Sequence, residues 1–366
     1  MPNRIDQYLA RLLKGDRPTW PAAVDAGAMV SAAERHGIAA LLHERLSAAG
    51  GDATVPAGLI AGIARAAQTQ TRRSLLLEAE TRRVVAALNA AGYPLLLLKG
   101  SALAWWLYPA PGLRTCNDID LLVAPAHAQQ AREVLAGLGY DPAGPPLAGD
   151  LCSFQTTLSP SDRTRPRLEV DLHWALSNAP VFAFRFDFDE LYAARTALPG
   201  LDAQAFGLGP VHAFLHAAMH RVQNFVLPDG ERLKWLYDLD LLGLGFTPSQ
   251  WQQLLELARE RGLAGCCRDG LLAAAGVFGA VAPPELLDGL QRAAVSELID
   301  LNRMHRPAYI EWANFRALPG AGRKLRWLGQ RLWPSAAYRR ARYGGGIGHA
   351  LASRLSAAWR RLLRSG

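Results

Sequence analysis

Cysteine is scarce in this chain, with four among 366 residues. Cys116, Cys152, Cys266 and Cys267 show neither C-x-x-C spacing nor the density of a disulfide framework, so reduced thiols are expected. The adjacent Cys266 and Cys267 read as helix packing rather than as metal ligands. Long apolar runs are missing as well: no window reaches the roughly 18 apolar residues that a membrane span requires. The first stretch, MPNRIDQYLARLLKGDRP, scatters charge through its apolar positions and so lacks the core of a signal peptide. These absences predict a cytoplasmic chain. No repeat period or low-complexity tract occurs, and 50% hydrophobic with 20% charged residues excludes a disordered polymer.

Negative charge is absent from the C-terminal stretch. Residues 321–366 contain no Asp or Glu, while Arg323, Lys324, Arg326, Arg331, Arg339, Arg340, Arg342, Arg354, Arg360, Arg361 and Arg364 supply eleven positive charges. They exceed the formal excess of +8, so the remainder of the chain is net acidic. Within the tail, Ala350–Leu363 spaces Leu351, Leu355, Ala358, Trp359, Leu362 and Leu363 at helical intervals, behind a hinge at Gly344-Gly345-Gly346. Such a basic amphipathic helix is suited to a polyanion such as RNA, to an anionic membrane surface or to an acidic partner. The competing expectation is that its apolar stripe docks on the body and its arginines are solvated.

What is present is concentrated in Leu95–Val123, LLLLKGSALAWWLYPAPGLRTCNDIDLLV. An apolar run ends in Lys99-Gly100-Ser101, and Asp118 and Asp120 then open a second apolar run. Carboxylates at i and i+2 of an extended segment point to the same side, where they can hold a divalent metal. A Gly-Ser at a helix start presents backbone N–H groups and a hydroxyl to phosphate. Metal and phosphate together suggest a nucleotide. A third acid, Asp171, lies in the alternating run Leu168–Trp174, after the Pro/Arg-rich turn 159–167.

The pattern KG-x-x-L-x-x-x-x-Y-P-x-P-G-x-R-x-x-x-D-I-D-L-L-V followed by VDLHW resembles a bacterial family of uncharacterised nucleotidyltransferases in the DNA polymerase β-like superfamily. AERHGIAALLHERL upstream and RLKWLYDLDLL downstream resemble it too, so the likeness covers most of the chain. It implies an α+β fold, a small mixed nucleotidyltransferase sheet with helices, flanked by N-terminal and C-terminal helical regions. The expected division is a helical region at 1–92, a catalytic core at 93–200, a second helical region at 201–320 and the basic tail at 321–366. Periodicity places strands at 95–98, 119–123, 151–158 and 168–174, and helices at 102–108 and 126–137, with a Pro-rich loop at 139–149. Further helices are expected at 210–226, 231–244, 248–262, 264–278 and 284–304.

The implied chemistry is transfer of an NMP, AMP from ATP by preference, to a hydroxyl or phosphate of a small molecule, peptide, protein or RNA. Two Mg²⁺ ions about 3.5–4 Å apart would neutralise the polyphosphate and activate the acceptor. Asp118 and Asp120 are expected on both ions and Asp171 on the acceptor-side ion, since hard cations prefer oxygen ligands. Gly100 and Ser101 are expected to grip the β- and γ-phosphates, with Lys99 and Arg114 the nearest cations. Arg114, after the turn Pro109–Gly112, would clamp the triphosphate or acceptor, or else pair with a nearby acid; Lys99 is equally readable as a structural lysine with a buried stem. His173, two after Asp171, should share its side and orient it or meet the acceptor. His212, His216 and His220 share one helix face; binding substrate, Asp238 or Asp240, or plain packing, is favoured over zinc because no Glu completes a hydrolase motif.

Two other readings compete. A D-x-D glycosyltransferase places its hydrophobic strand before the acids, whereas Leu121-Leu122-Val123 follows them here. A non-catalytic nucleotide-binding or antitoxin-like partner would keep the fold without activity, but all three acids and Gly100-Ser101 are present.

Overall fold

The computed structural model describes residues 4–21, 24–48, 55–164, 166–226, 230–279 and 282–343. The amphipathic stretch 350–363 and its glycine hinge lie outside the described residues.

Four helices come first: α1 (Arg4–Lys14), α2 (Ala26–His36), α3 (Ala39–Ala48) and the 34-residue α4 (Ala57–Ala90). Asp25 starts α2 by accepting from the Ala28 N–H, and Gly37 ends it in the left-handed region, at φ 66°. The alternating segment follows as β1 (Leu95–Leu97), α5 (Lys99–Trp106), β2 (Asp118–Val123), α6 (Ala128–Gly137), β3 (Tyr140–Pro142), β4 (Gln155–Pro160) and β5 (Glu169–His173). Short helices α7 (Pro180–Ala183) and α8 (Phe188–Ala193) lead to β6 (Thr196–Ala197) and β7 (Phe206–Gly207). The rest is helical: α9 (Pro210–Gln223), α10 (Leu233–Leu244), α11 (Pro248–Glu260), α12 (Ala264–Phe278), α13 (Pro284–Ala294), α14 (Pro307–Ala317), α15 (Gly320–Leu332) and α16 (Ala336–Tyr343). Among the described residues no helix is long and apolar enough to cross a membrane.

The strands form one mixed sheet of order β3-β4-β5-β2-β1-β7-β6. β2 and β5 run parallel with Asp120 opposite Asp171 and Leu122 opposite His173, while β1 pairs antiparallel with β2. Helices cover both faces, which is why β1 and β2 read as unbroken apolar runs rather than as alternation. Leu95, Leu97, Ile119, Leu121, Val170 and Leu172 meet Val84, Val85 and Leu88 of α4 and Leu135 of α6. Leu96, Leu98 and Leu122 face the opposite way, into the core built on Phe214, Leu215 and Met219 of α9. Each fully buried leucine contributes roughly 1.5–3 kcal/mol. By strand alternation Asp118, Asp120, Asp171 and His173 point to the α9 side. The N-terminal helices share a third core with Leu233, Leu236 and Tyr237 of α10.

The structure departs from the sequence expectations at several element ends. The 139–149 stretch contains β3, an edge strand whose Tyr140 is anchored to Glu80 through its hydroxyl, at 2.5 Å. β4 begins at Gln155 rather than 151, and α13 ends at Ala294. β6 and β7, of two residues each, are too short for any periodicity to announce them. Helix α5 starts at Lys99, three residues early, because Lys99 takes φ 49° and turns the chain at once from strand to helix. Of the tail, α15 docks through Trp327 against Leu151 and Leu318, and its Arg326 pairs with Asp150 at 2.8 Å. Leu325, Leu328 and Leu332 remain exposed.

Candidate active site at the β2–α5 junction

The junction is held by Ser101. Its hydroxyl donates to the Asp118 carbonyl at 3.1 Å and accepts from the Asp120 N–H at 3.2 Å, which riveted the first turn of α5 to the strand that carries the acids. The sequence places this hydroxyl on phosphate; in the structure both of its hydrogen-bonding roles go to β2. What remains for an anion at this helix start is the set of first-turn N–H groups, which have no intrahelical partner.

Gly100 is required by packing. A Cβ there would lie 2.7 Å from the Cys116 sulfur and 3.2 Å from Nη1 of Arg114. Arg114 is fixed and cannot retreat, so Gly100→Ala is expected to cost about 1–3 kcal/mol in a melting experiment. The double variant Gly100→Ala/Cys116→Ala should recover part of that loss; no recovery would mean that the sulfur contact is not the cause.

Asp120 is the electrostatic centre. It is 3% exposed, and its Oδ1 accepts from Lys99 Nζ at 2.6 Å and pairs with His173 Nε2 at 3.1 Å. Burial alone would raise its pKa, but the Lys99 charge and the His173 hydrogen bond hold it below the ordinary carboxylate range. Lys99 is raised in turn, against burial, by Asp120. The left-handed backbone that delivers the Lys99 ammonium to Asp120 is one that L-residues adopt at a cost of about 1–2 kcal/mol. Asp118 behaves oppositely: burial first, and then the Asp120 charge, push it up to about 7. Two neighbouring carboxylates with pKa values driven apart are a frequent mark of a functional site.

Asp171, in register with Asp120, accepts from Thr157 at 2.5 Å. Ligand atoms of Asp120, Asp171 and His173 all lie within 4.8 Å of one another, and among the described residues this is the group that could hold a metal. Two carboxylate oxygens and an imidazole suit a divalent cation. The structure thus brings Asp120 and Asp171 together, adds His173, which faces Asp120 rather than orienting Asp171, and leaves Asp118 outside that group, on the wall of a cavity that Asp120 also lines.

That cavity is bounded by the start of α5, by Thr115–Asp118, by His216 and His220 of α9, and by Arg232, Lys234 and Trp235 at the start of α10. Burial pushes His216 down to about 3 and His220 well below its ordinary value, so both present neutral rings. His220 stands edge-on to Trp235 with centroids 5.2 Å apart, and His212 turns away to Glu190 at 3.5 Å. The three histidines therefore do not converge on one ion, and among the described residues none of them hydrogen-bonds or pairs with Asp238 or Asp240.

Arg114 is not available as a clamp. Its Nε and Nη2 donate to the two oxygens of Asp238 at 2.8 and 2.6 Å, Nη1 donates to the Thr115 carbonyl, and Tyr108 adds its hydroxyl to Asp238 at 2.6 Å. From the sequence Asp238 is expected as a partner of the histidines, not of Arg114, and Lys234 and Arg232 carry no expected role; their clustering with Asp238 in RLKWLYD is the available signal. A second cavity of about 740 Å³ lies across α5, walled by Leu75, Trp105, Pro111 and Leu113. It shares Gly100, Ser101, Arg114 and Cys116 with the first cavity but none of the acids.

A family model described as uncharacterised nucleotidyltransferase matches residues 22–279, well over half of the chain, and the chain belongs to that family. No curated protein matches it.

Proposed function

We propose that this nucleotidyltransferase moves an NMP, AMP from ATP by preference, onto a hydroxyl or phosphate of an acceptor in the cytoplasm. The observation that supports the reading best is the register of β2 and β5, which sets Asp120 against Asp171 beside the first turn of α5. Asp118, Asp120 and Asp171 are the proposed catalytic and metal-holding carboxylates, with His173 as a further ligand or as the group that orients Asp120. Bound there, divalent metal, Mg²⁺ in two copies, would supply charge neutralisation for the polyphosphate and activation of the acceptor.

The chain's own residues do the rest. The first-turn N–H groups around Gly100 receive phosphate oxygens at the positive end of α5. Ser101 keeps that turn in register with the acids. Lys99 carries a charge that offsets Asp120 when the other cations leave, and can turn to phosphate when they arrive. Neutral His216 and His220, together with Trp235, give the cavity an unionised wall against which a base can lie. The core at 93–200 thus works between the helical regions 1–92 and 201–320, which would shape the acceptor site, and the basic residues of 321–366 would bring it to a polyanion or an anionic surface.

Calorimetric titration with ATP, GTP, CTP and UTP in the presence of Mg²⁺ tests the reading. Saturable binding of at least ATP, lost on adding EDTA, is expected. Binding of a UDP-sugar but of no nucleoside triphosphate would overturn it.

A further inference from the structure

Four cations line the cavity beside the acids: Lys99, Arg114, Arg232 and Lys234. Two are matched within the protein, Lys99 by Asp120 at 2.6 Å and Arg114 by both oxygens of Asp238. Lys234 differs. It is 7% exposed, and its ammonium donates to the Thr115 carbonyl at 3.3 Å; among the described residues no carboxylate lies within ion-pair distance of it. Its nearest acid on α10, Asp238, is already held by Arg114 and Tyr108. A charge taken out of water without a counter-charge is costly to a fold.

The stem of Lys234 lies against Gly37, where a side chain would displace it. Gly37, in the left-handed region, closes α2, and a Cβ there would lie 2.8 Å from the Lys234 Cδ and 3.3 Å from its Nζ. The ammonium is thereby delivered to the Thr115–Cys116 edge of the cavity, close enough to Asp118 to lower that carboxyl's pKa. Burial, and then the Arg114 charge, depress Lys234 to about 8, outweighing the opposite pull of Cys116 and of Asp238, which Arg114 already holds.

We propose that Lys234 is the cation that receives the terminal phosphates of the nucleotide, an inference that rests on the nucleotidyltransferase reading above. A polyphosphate supplies the counter-charge that the protein withholds, and a buried ammonium forms charge-assisted hydrogen bonds with its oxygens. Arg232, stacked on Trp235 with its guanidinium 5.6 Å from the ring centroid, borders the same edge.

The test is calorimetric titration of wild type, Lys234→Met and Lys234→Gln with Mg²⁺ plus ATP, AMP or inorganic tripolyphosphate, alongside thermal melts. Both variants are expected to lose about tenfold or more in affinity for ATP and tripolyphosphate. AMP binding should stay within about threefold of wild type. Lys234→Met should melt at or above the wild-type midpoint, because an uncompensated buried charge has gone. Wild-type ATP affinity in either variant would overturn the proposal, as would equal losses for AMP and ATP. Should Lys234→Met not fold, Lys234→Gln, which puts a neutral amide donor in place of the ammonium, decides alone. If wild type binds tripolyphosphate but no nucleotide, the nucleotidyltransferase reading fails while the anion site stands on the variants' loss of tripolyphosphate. If wild type binds neither, both fail.

Discussion

Asp120→Asn is expected to lower nucleotidyl transfer by about a thousandfold or more, equivalent to roughly 4 kcal/mol of transition-state stabilisation, because it removes the charge common to Lys99, His173 and the group proposed to hold metal. Release of pyrophosphate from ATP in the presence of the acceptor measures it. Retention of more than a tenth of wild-type activity would remove Asp120 from the mechanism. Sequence alone expects Asn at either Asp118 or Asp120 to relieve repulsion and leave the melting midpoint unchanged or higher. The structure separates the two. Asp120→Asn strands the Lys99 ammonium and should lower the midpoint, whereas Asp118→Asn removes a buried acid and should raise it.

The Asp118 effect has a defined pH window. Its folded-state pKa, about 7, lies above the unfolded value near 4, so the native state holds the proton more tightly. That contribution is complete below about pH 4 and is lost as pH rises to about 7. In EDTA the midpoint of Asp118→Asn should therefore coincide with wild type near pH 4 and exceed it at pH 8, by an amount equivalent to about 1–3 kcal/mol. A constant difference across that range would show that Asp118 does not titrate in the window.

Asp238→Ala should be the most destabilising single change at the site, with an expected loss of about 3–5 kcal/mol and a melting midpoint several degrees lower. It leaves the Arg114 guanidinium and the Tyr108 hydroxyl buried without their acceptor. The double variant Arg114→Met/Asp238→Leu, with both charges gone, should be more stable than Asp238→Ala. A midpoint for Asp238→Ala within a degree of wild type would mean that water already satisfies Arg114.

Much of this was legible from residue order. Leu95–Leu97 and Asp118–Val123 are strands buried on both faces, and unbroken apolar runs ended by Lys-Gly-Ser and opened by Asp-x-Asp announce them. Asp171 and His173 were found because VDLHW alternates. The partnerships were not legible. Nothing local says that Arg114 will meet Asp238, since 124 residues separate them, or that Ser101 will serve a strand rather than a phosphate. The left-handed Lys99 was hidden for another reason: lysine carries no signal for that conformation, which is imposed by the packing of α5 on β2.

The same separations set an order of assembly. Lys99 and Asp120 are 21 residues apart, Asp120 and His173 53, and Arg114 and Asp238 124. Loop-closure entropy rises with the logarithm of such distances, so the first contact closes most cheaply and the last must wait for α10. A chain emerging from the ribosome would pair Asp120 with its own lysine before His173 exists, and its cavity would lack one wall until α10 is made.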